Sequence, residues 1–112
     1  PAEAVTEAVL ALKSLLSCQS VMTTMSEKGV LISYLKGKEE VNTLIPAHLR
    51  TIADVSGAGD TVISVASLFL ALGRPYEEVA WFANLAGGLV CEEVGVVPVN
   101  PEKLLNEALQ LL

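Results

Sequence analysis

The chain has 112 residues, of which 52% are hydrophobic, and its 13 acidic residues against 7 lysines and arginines give a formal net charge of −6. This composition excludes a disordered tail, and an acidic balance with scattered cations is not what nucleic-acid binding requires. A hydrophobic share this high in so short a chain also indicates that part of its surface is covered by something else.

Membrane insertion and secretion are not expected from the sequence. The longest uncharged apolar stretch, residues 61–73, is shorter than the roughly 20 residues that a membrane-spanning helix needs. No signal-peptide pattern is present, and Cys18 and Cys91 lie far apart in apolar surroundings, which is typical of reduced thiols. We therefore expect a cytoplasmic protein that binds neither membranes nor nucleic acid.

The first half of the chain predicts one helix followed by four short strands. Apolar residues between Val5 and Leu16 recur at the three- and four-residue spacing of an amphipathic helix. The strands are predicted at 21–24, 30–35, 41–45 and 51–55, and a tight polar loop joins the first two.

The second half predicts three helices. Residues 61–72 form an apolar run that is too long for a typical strand, and 76–91 continue after a Gly-Arg-Pro break. The last helix begins at Pro101, with Asn100 as its cap. The predicted fold class is therefore α/β, in the order helix, about four strands, three helices.

The segment DVSGAGDT, residues 54–61, carries the clearest chemical signal. Its two glycines let backbone N–H groups converge, and the helix that follows adds unpaired donors, so the segment is suited to bind an anion. A carboxylate at Asp60 would oppose a phosphate unless it had its own task, such as accepting the proton of an alcohol during phosphoryl transfer. The alternative is an ordinary turn whose aspartate caps a helix, because short glycine motifs are weak evidence.

Four segments together resemble the PfkB/ribokinase family of carbohydrate kinases. DVSGAGDT looks like the family's C-terminal signature, and VMTTMSEKGVLI, residues 21–32, is similar to its TxGxxG nucleotide loop. Ala83-Asn84 with Gly87-Gly88, and then VGVVPVNPEKLL at 94–105, match the segments that follow. Within the family, the loop resembles the TxSExG variant of the sugar-phosphate kinases of ADP-heptose synthesis.

The resemblance implies that residues 1–112 are the C-terminal, nucleotide-binding segment of a kinase domain with a three-layer α/β/α ribokinase-like fold. The domain would be incomplete, because the family's N-terminal part supplies the sugar pocket and an NxxE motif that organises Mg²⁺. No NxxE motif occurs in this sequence. We therefore expect the chain alone to be inactive, and expect the N-terminal part of a kinase or a second copy of the chain to cover its apolar surface.

The resemblance also implies roles for individual residues. Asp60 would be the catalytic base of the ATP-dependent phosphorylation of a sugar or sugar-phosphate hydroxyl, and Gly57, Ala58 and Gly59 would supply the amides of the anion hole. The residues expected along the nucleotide are Thr24, Ser26, Glu27, Gly29 and Asn84. Asp54, together with Ser56 and the loop near Gly95, matches a site for a monovalent cation such as K⁺.

Several alternatives stay open at this point. Asn84 fits a satisfied polar residue in a buried helix as well as an adenine contact. Gly87 and Gly88 suggest close approach of a helix or a ligand, with helix packing favoured, and His48 is predicted to be a surface or strand-end residue. The alternative function is a non-catalytic interaction or oligomerisation module that keeps this part of the kinase fold; an anion-binding regulator is a third possibility.

Overall fold

A computed structural model of the chain describes residues 2–48 and 50–112. It contains four helices and three strands in the described part of the chain. The elements in chain order are α1 (Ala2–Leu16), β1 (Ser20–Thr24), β2 (Val30–Lys36), β3 (Glu39–Ile45), α2 (Ala58–Ala71), α3 (Tyr76–Val90) and α4 (Pro101–Leu111). The predicted α/β fold class is confirmed.

The three strands form one antiparallel sheet in the order β1-β2-β3. Thr24 pairs with Val30 across the β1–β2 loop, and Lys36 pairs with Glu39 across a tight turn. Val30 also pairs with Ile45, the last residue of β3. The last residues of β1 and β3 thus both lie beside Val30 of the central strand, β2. The β1–β2 loop therefore lies next to the chain that leaves β3.

The sheet is covered on both faces. Val30 and Ile32 pack with Ala80 of α3 on one face. Side chains alternate along a strand, so Ser33 points to the opposite face, where it accepts a hydrogen bond from Lys13 of α1 at 3.1 Å. This arrangement of α1, sheet and α3 is consistent with the expected three-layer α/β/α fold.

Helix α3 is the centre of the molecule. It packs on the sheet through Ala80, on α2 through Val79 and Ala83, and on α4 through Leu85 and Leu89. Small residues allow the helices to come close: a Cβ at Gly87 would lie 2.6 Å from a methyl group of Val62 in α2. Helix packing, as favoured from the sequence, therefore accounts for Gly87.

The predicted fourth strand at 51–55 is wrong. This segment pairs with no strand in the described chain; instead, the N–H groups of Ala53 and Asp54 donate to the Cys91 carbonyl, at 2.8 and 3.1 Å. A strand needs a neighbour that offers a ladder of donors and acceptors, and the end of a helix offers only its last carbonyl groups.

The helix ends agree with the prediction except at the start of α2. The Asn100 side chain accepts hydrogen bonds from the N–H groups of Glu102 and Lys103, so the predicted cap of α4 is confirmed. Helix α2, however, begins at Ala58, three residues before the predicted start. No helix in the described part of the chain has the length and hydropathy needed to cross a bilayer.

Candidate active site

The β1–β2 loop is a single 3₁₀ turn at Ser26–Lys28. Its base is closed by a hydrogen bond of 2.8 Å from the Met25 N–H to the Gly29 carbonyl. Ser26 has a φ of 55°, in the left-handed region that disfavours residues with a side chain. The TxGxxG pattern has glycine at this place, and glycine adopts this conformation without steric cost.

Gly29 is fixed by its neighbours in β3. Its φ is 104°, and a Cβ at this position would lie 2.0 Å from the carbonyl oxygen of Ile45 and 2.7 Å from the backbone nitrogen of Ala47. No side chain fits in that space. The glycine of the predicted nucleotide loop is therefore required by the close approach of the chain leaving β3.

The start of α2 presents free backbone donors. Gly57 caps the helix with a φ of 75°, and no side chain forms a cap hydrogen bond. Ala58 donates to the Val55 carbonyl and Thr61 to the Gly57 carbonyl. Within the described residues this leaves the N–H groups of Gly57, Gly59 and Asp60 without an acceptor, beside the positive end of the helix dipole. Of the three amides predicted for the anion hole, only that of Ala58 already has a partner.

Asp60 is the third residue of α2, and its side chain is exposed. Its carboxylate makes no hydrogen bond or ion pair with the described part of the chain, and its main-chain carbonyl accepts a hydrogen bond from Ser64. Asp60 is not the N-cap of α2, which was the alternative interpretation, because Gly57 occupies the cap position. The carboxylate is free to meet a ligand.

Asp54 holds together the turn before α2 and the loop at Gly95. One carboxylate oxygen accepts hydrogen bonds from the Ser56 N–H and hydroxyl, at 2.9 and 2.6 Å, and the other accepts one from the Gly95 N–H at 2.9 Å. The bonds from Ser56, and then that from Gly95, lower the pKa of Asp54 below its ordinary value. The three residues predicted around a monovalent cation therefore lie together.

A cavity of about 690 Å³ joins the β1–β2 loop to the start of α2. It is lined by seven of the predicted site residues, namely Thr24, Ser26, Glu27, Gly29, Ala58, Gly59 and Asn84. Asp60, Gly57 and the Asp54 turn do not line it. A second cavity, of about 770 Å³ between the end of α3 and the start of α4, contains none of the predicted residues.

Asn84 combines the two roles left open from the sequence. Its side-chain amide donates a hydrogen bond of 3.1 Å to the Pro46 carbonyl, just beyond β3. The residue is nevertheless half-buried and lines the cavity. Asn84 therefore fastens the end of β3 to α3 and remains accessible from the cavity.

Other residues of the cavity wall were not predictable from the sequence. His48 and Arg50 come from the segment after β3, and Ile52 and Val55 from the segment that was predicted to be a strand. His48 lies beyond the end of β3 and is half-buried against the cavity, so the predicted surface or strand-end position did not indicate its place in the wall. No local pattern marks these residues, because they become neighbours only when the segment folds back onto α3.

The described residues offer no ready-made site for a divalent metal. No group of three or more His, Cys, Asp or Glu side chains among them is arranged to hold a metal ion. Carboxylate and carbonyl oxygens are the ligands that Mg²⁺ prefers, and the exposed carboxylates near the cavity stand singly.

The profile of the pfkB family carbohydrate kinases matches residues 1–103. The chain belongs to this family. The family predicted from the motifs is therefore confirmed, and the matched range includes the β1–β2 loop and the start of α2.

Curated relatives of this pfkB chain bear the name bifunctional protein HldE. That of Syntrophotalea carbinolica is 44% identical over 86 residues, which cover 77% of this chain and 17% of the relative. That of Haemophilus influenzae is 40% identical over 108 residues, covering 93% of this chain and 21% of the relative. The chain spans about a fifth of the length of these relatives, and their name agrees with the predicted likeness to kinases of ADP-heptose synthesis.

Solved structures of other kinases share the fold. Escherichia coli phosphofructokinase-2, in complex with potassium, matches with a TM-score of 0.80 at 18% identity, over 96% of this chain and 33% of that one. Adenosine kinase from Sinorhizobium meliloti matches with a TM-score of 0.72 at 29% identity, over 96% of this chain and 31% of that one. Ribokinase from Cryptococcus neoformans, in complex with ADP, matches with a TM-score of 0.63 at 26% identity, over 83% of this chain and 28% of that one. The ribokinase-like fold is thereby confirmed for this part of a kinase.

Proposed function

We propose that this chain forms the nucleotide-binding half of an ATP-dependent kinase that phosphorylates a hydroxyl group of a sugar or sugar phosphate. The observation that carries the proposal is the cavity that joins the β1–β2 loop to the first turn of α2. The family match and the ADP-bound relative support nucleotide as its ligand.

The free amides at the start of α2 are suited to the phosphate end of the nucleotide. Gly57, Gly59 and Asp60 offer N–H donors beside the positive end of the helix dipole. A Cβ at Gly59 would meet no atom within 4 Å, so a ligand can approach this backbone closely. Fixed donors of this kind stabilise the charge that develops on a transferring phosphoryl group.

Asp60 is proposed as the catalytic base. Its unpaired carboxylate accepts the proton of the sugar hydroxyl while the hydroxyl oxygen bonds to the γ-phosphorus of ATP, and the bond to the β–γ bridging oxygen breaks to release ADP. Asp60 lies beside the free amides but outside the cavity lining. This position suits a sugar that approaches from the side opposite the nucleotide.

The two metal ions predicted from the family fit the chain unequally. Mg²⁺ neutralises charge on the phosphates when bound, and no carboxylate cluster for it exists in the described chain, so we assign its ligands to the N-terminal part of the kinase. For K⁺, the turn of Asp54 and Ser56 lies against Gly95 and offers oxygen atoms. We propose that bound K⁺ would lie at this turn and stabilise its position next to the amides.

The substrate class follows from the loop variant and the relatives. The TxSExG form of the β1–β2 loop and the HldE relatives favour a sugar phosphate of ADP-heptose synthesis. The N-terminal part of the kinase would supply the sugar pocket and cover the apolar faces of this chain. The cytoplasmic location expected from the sequence is part of this proposal.

The proposal is tested by replacing Asp60→Asn in the complete kinase. Turnover should fall by roughly 10²–10⁴-fold, because loss of a general base costs about that much. The affinity for ATP should change little, because the amides remain. Turnover is measured by ADP release with a panel of sugar phosphates, and ATP affinity by calorimetry.

Glu3→Gln, a substitution on exposed α1, is the matched control and should leave turnover unchanged. Near-normal turnover of the Asp60→Asn enzyme would refute the assignment of the base. If the unsubstituted protein neither binds ATP nor phosphorylates any sugar and forms a discrete oligomer, the non-catalytic module is the correct function instead.

A further inference from the structure

Arg50 is a buried cation in the wall of the nucleotide cavity. Its side chain is only 7% exposed, and its guanidinium forms an ion pair with Glu92 at the end of α3 and a second one, at 3.6 Å, with Glu107 of α4. A buried guanidinium is stable only when it is paired in this way. Arg50 therefore joins three parts of the chain: the segment after β3, the end of α3, and α4.

Gly88 provides the space that Arg50 occupies. A Cβ at Gly88 would lie 2.7 Å from Nε and 3.2 Å from Cδ of Arg50. The arginine side chain therefore lies directly on the backbone of α3. The sequence offered helix or ligand contact as reasons for Gly88; the structure instead places a side chain from the cavity wall against it.

The charges around Arg50 are balanced. Glu92 also faces Lys103, at 3.8 Å, so two cations and two carboxylates form one cluster. Both carboxylates near Arg50 come from outside the cavity lining. With its charge already matched, Arg50 is better suited to hold the wall in place than to bind a phosphate as a free cation.

The segment held by Arg50 leads directly to the amides at the start of α2. Only six residues separate Arg50 from Gly57. In between, the N–H groups of Ala53 and Asp54 donate to the Cys91 carbonyl, so the middle of the segment is also fastened to the end of α3. Because it pairs with no strand in the described chain, its position is set by these contacts and by the hydrogen bond from the Gly95 N–H to Asp54.

We infer that Arg50 is a positioning residue, which holds the 50–57 segment on α3 through Glu92 and Glu107 and so places the amides of Gly57, Gly59 and Asp60 against the phosphates. The inference rests on the proposed function. It predicts that Arg50 affects the phosphate end of the nucleotide and leaves the adenosine end unaffected.

The test compares ATP and adenosine binding to the complete kinase by calorimetry. Arg50→Met should weaken ATP binding by about tenfold, because substitutions in a network of packed and ion-paired side chains change the coupling between sites by an amount of this order. The affinity for adenosine should stay within about twofold. Arg74→Met is the matched control: Arg74 pairs with Glu78 at 2.9 Å on the surface, away from the cavity, so neither affinity should change.

Gly88→Ala is a second variant that keeps every charge but displaces the Arg50 side chain, and it should give a smaller loss of ATP affinity in the same direction. Its melting temperature, and that of Arg50→Met, shows that the protein tested is folded. Equal losses for ATP and adenosine, or unchanged ATP binding in both variants, would overturn the inference while the proposed function stands. Absence of ATP binding in the unsubstituted kinase would overturn both.

Discussion

At the scale of single residues, Gly29 shows how the sheet shapes the β1–β2 loop. Its position is set by the backbone of Ile45 and Ala47, which leaves no room for a side chain. The same residue lines the cavity. Both the packing at the ends of these strands and the shape of the cavity therefore depend on the lack of a Cβ at Gly29.

Gly29→Ala should therefore lower the free energy of unfolding by about 3 kcal/mol or more, because the methyl group collides with backbone and the φ of 104° is unfavourable for alanine. The measurement is urea unfolding followed by circular dichroism. Gly37→Ala is the control, since φ there is 67° but a Cβ would meet no atom within 4 Å. That variant should lose only about 1 kcal/mol. Equal losses would show that packing at Ile45 is unimportant.

The residues proposed to carry chemistry were recognisable in the sequence because they lie in short contiguous motifs. The glycines and acids of residues 54–61 and the β1–β2 loop can be read directly from the chain, and seven of the predicted residues line one cavity. Arg50 and His48 could not be predicted, since their positions depend on how the segment after β3 folds onto α3. Tertiary contacts of this kind leave no local pattern.

At the scale of elements, α1 is attached to the sheet by a buried lysine. Lys13 is 4% exposed; it donates to the Ser33 hydroxyl, which is fully buried in β2, and forms an ion pair with Glu40 of β3. A lysine on the apolar face of an amphipathic helix would ordinarily be solvent-exposed. Here it finds both partners on the sheet, so it fixes where the helix docks.

Lys13→Met should lower the free energy of unfolding by about 1–3 kcal/mol, because the buried Ser33 hydroxyl loses its partner. Adding Ser33→Ala should recover part of this loss, which a double-mutant cycle from urea unfolding measures. Lys38→Met, in the exposed turn after β2, is the control and should change stability by no more than about 0.5 kcal/mol. Strict additivity of the two substitutions would mean that Lys13 and Ser33 are not coupled.

Element types were predicted well, and the two differences have physical causes. The amphipathic pattern and the Asn100-Pro101 start identify helices through contacts within a few residues. The extended segment at 51–55 resembles a strand in composition, but a strand also requires a partner, which composition does not reveal. The early start of α2 arises because only Gly57 of the glycine turn leaves helical geometry, whereas Gly59 continues the helix.

At the scale of the whole molecule, apolar side chains remain on the outer face of α2. Ile63 and Leu70 are seven residues apart on one face and are 64% and 52% exposed. Part of the excess of hydrophobic residues noted in the composition thus lies on a helix that has no neighbour on that side in the described chain. A helix face of this kind requires a partner.

We expect the isolated chain to associate with itself through this face in light scattering, because apolar surface that no other part of a kinase covers is buried between copies. The double substitution Ile63→Glu/Leu70→Glu should reduce the measured mass towards that of a monomer. Lys38→Glu, in the exposed turn after β2, is the control. It changes the net charge by the same amount as the double substitution and should leave the mass unchanged. A monomeric unsubstituted chain at high concentration would contradict this expectation.

Helix α3 determines the spacing between the segments that surround the cavity. Ala80 packs on the sheet, and Asn84 donates a hydrogen bond to the Pro46 carbonyl at the end of β3. Gly88 lies against the Arg50 side chain, and the Cys91 carbonyl accepts hydrogen bonds from the segment before α2. Each successive turn on one face of the helix therefore contacts a different part of the chain around the cavity. Cys91 lies eleven positions beyond Ala80, a rise of about 16.5 Å along the helix. One residue inserted between them would rotate the later contacts by about 100° relative to the earlier ones. Substitutions change single contacts of this site, whereas insertions in α3 would take its two ends out of register.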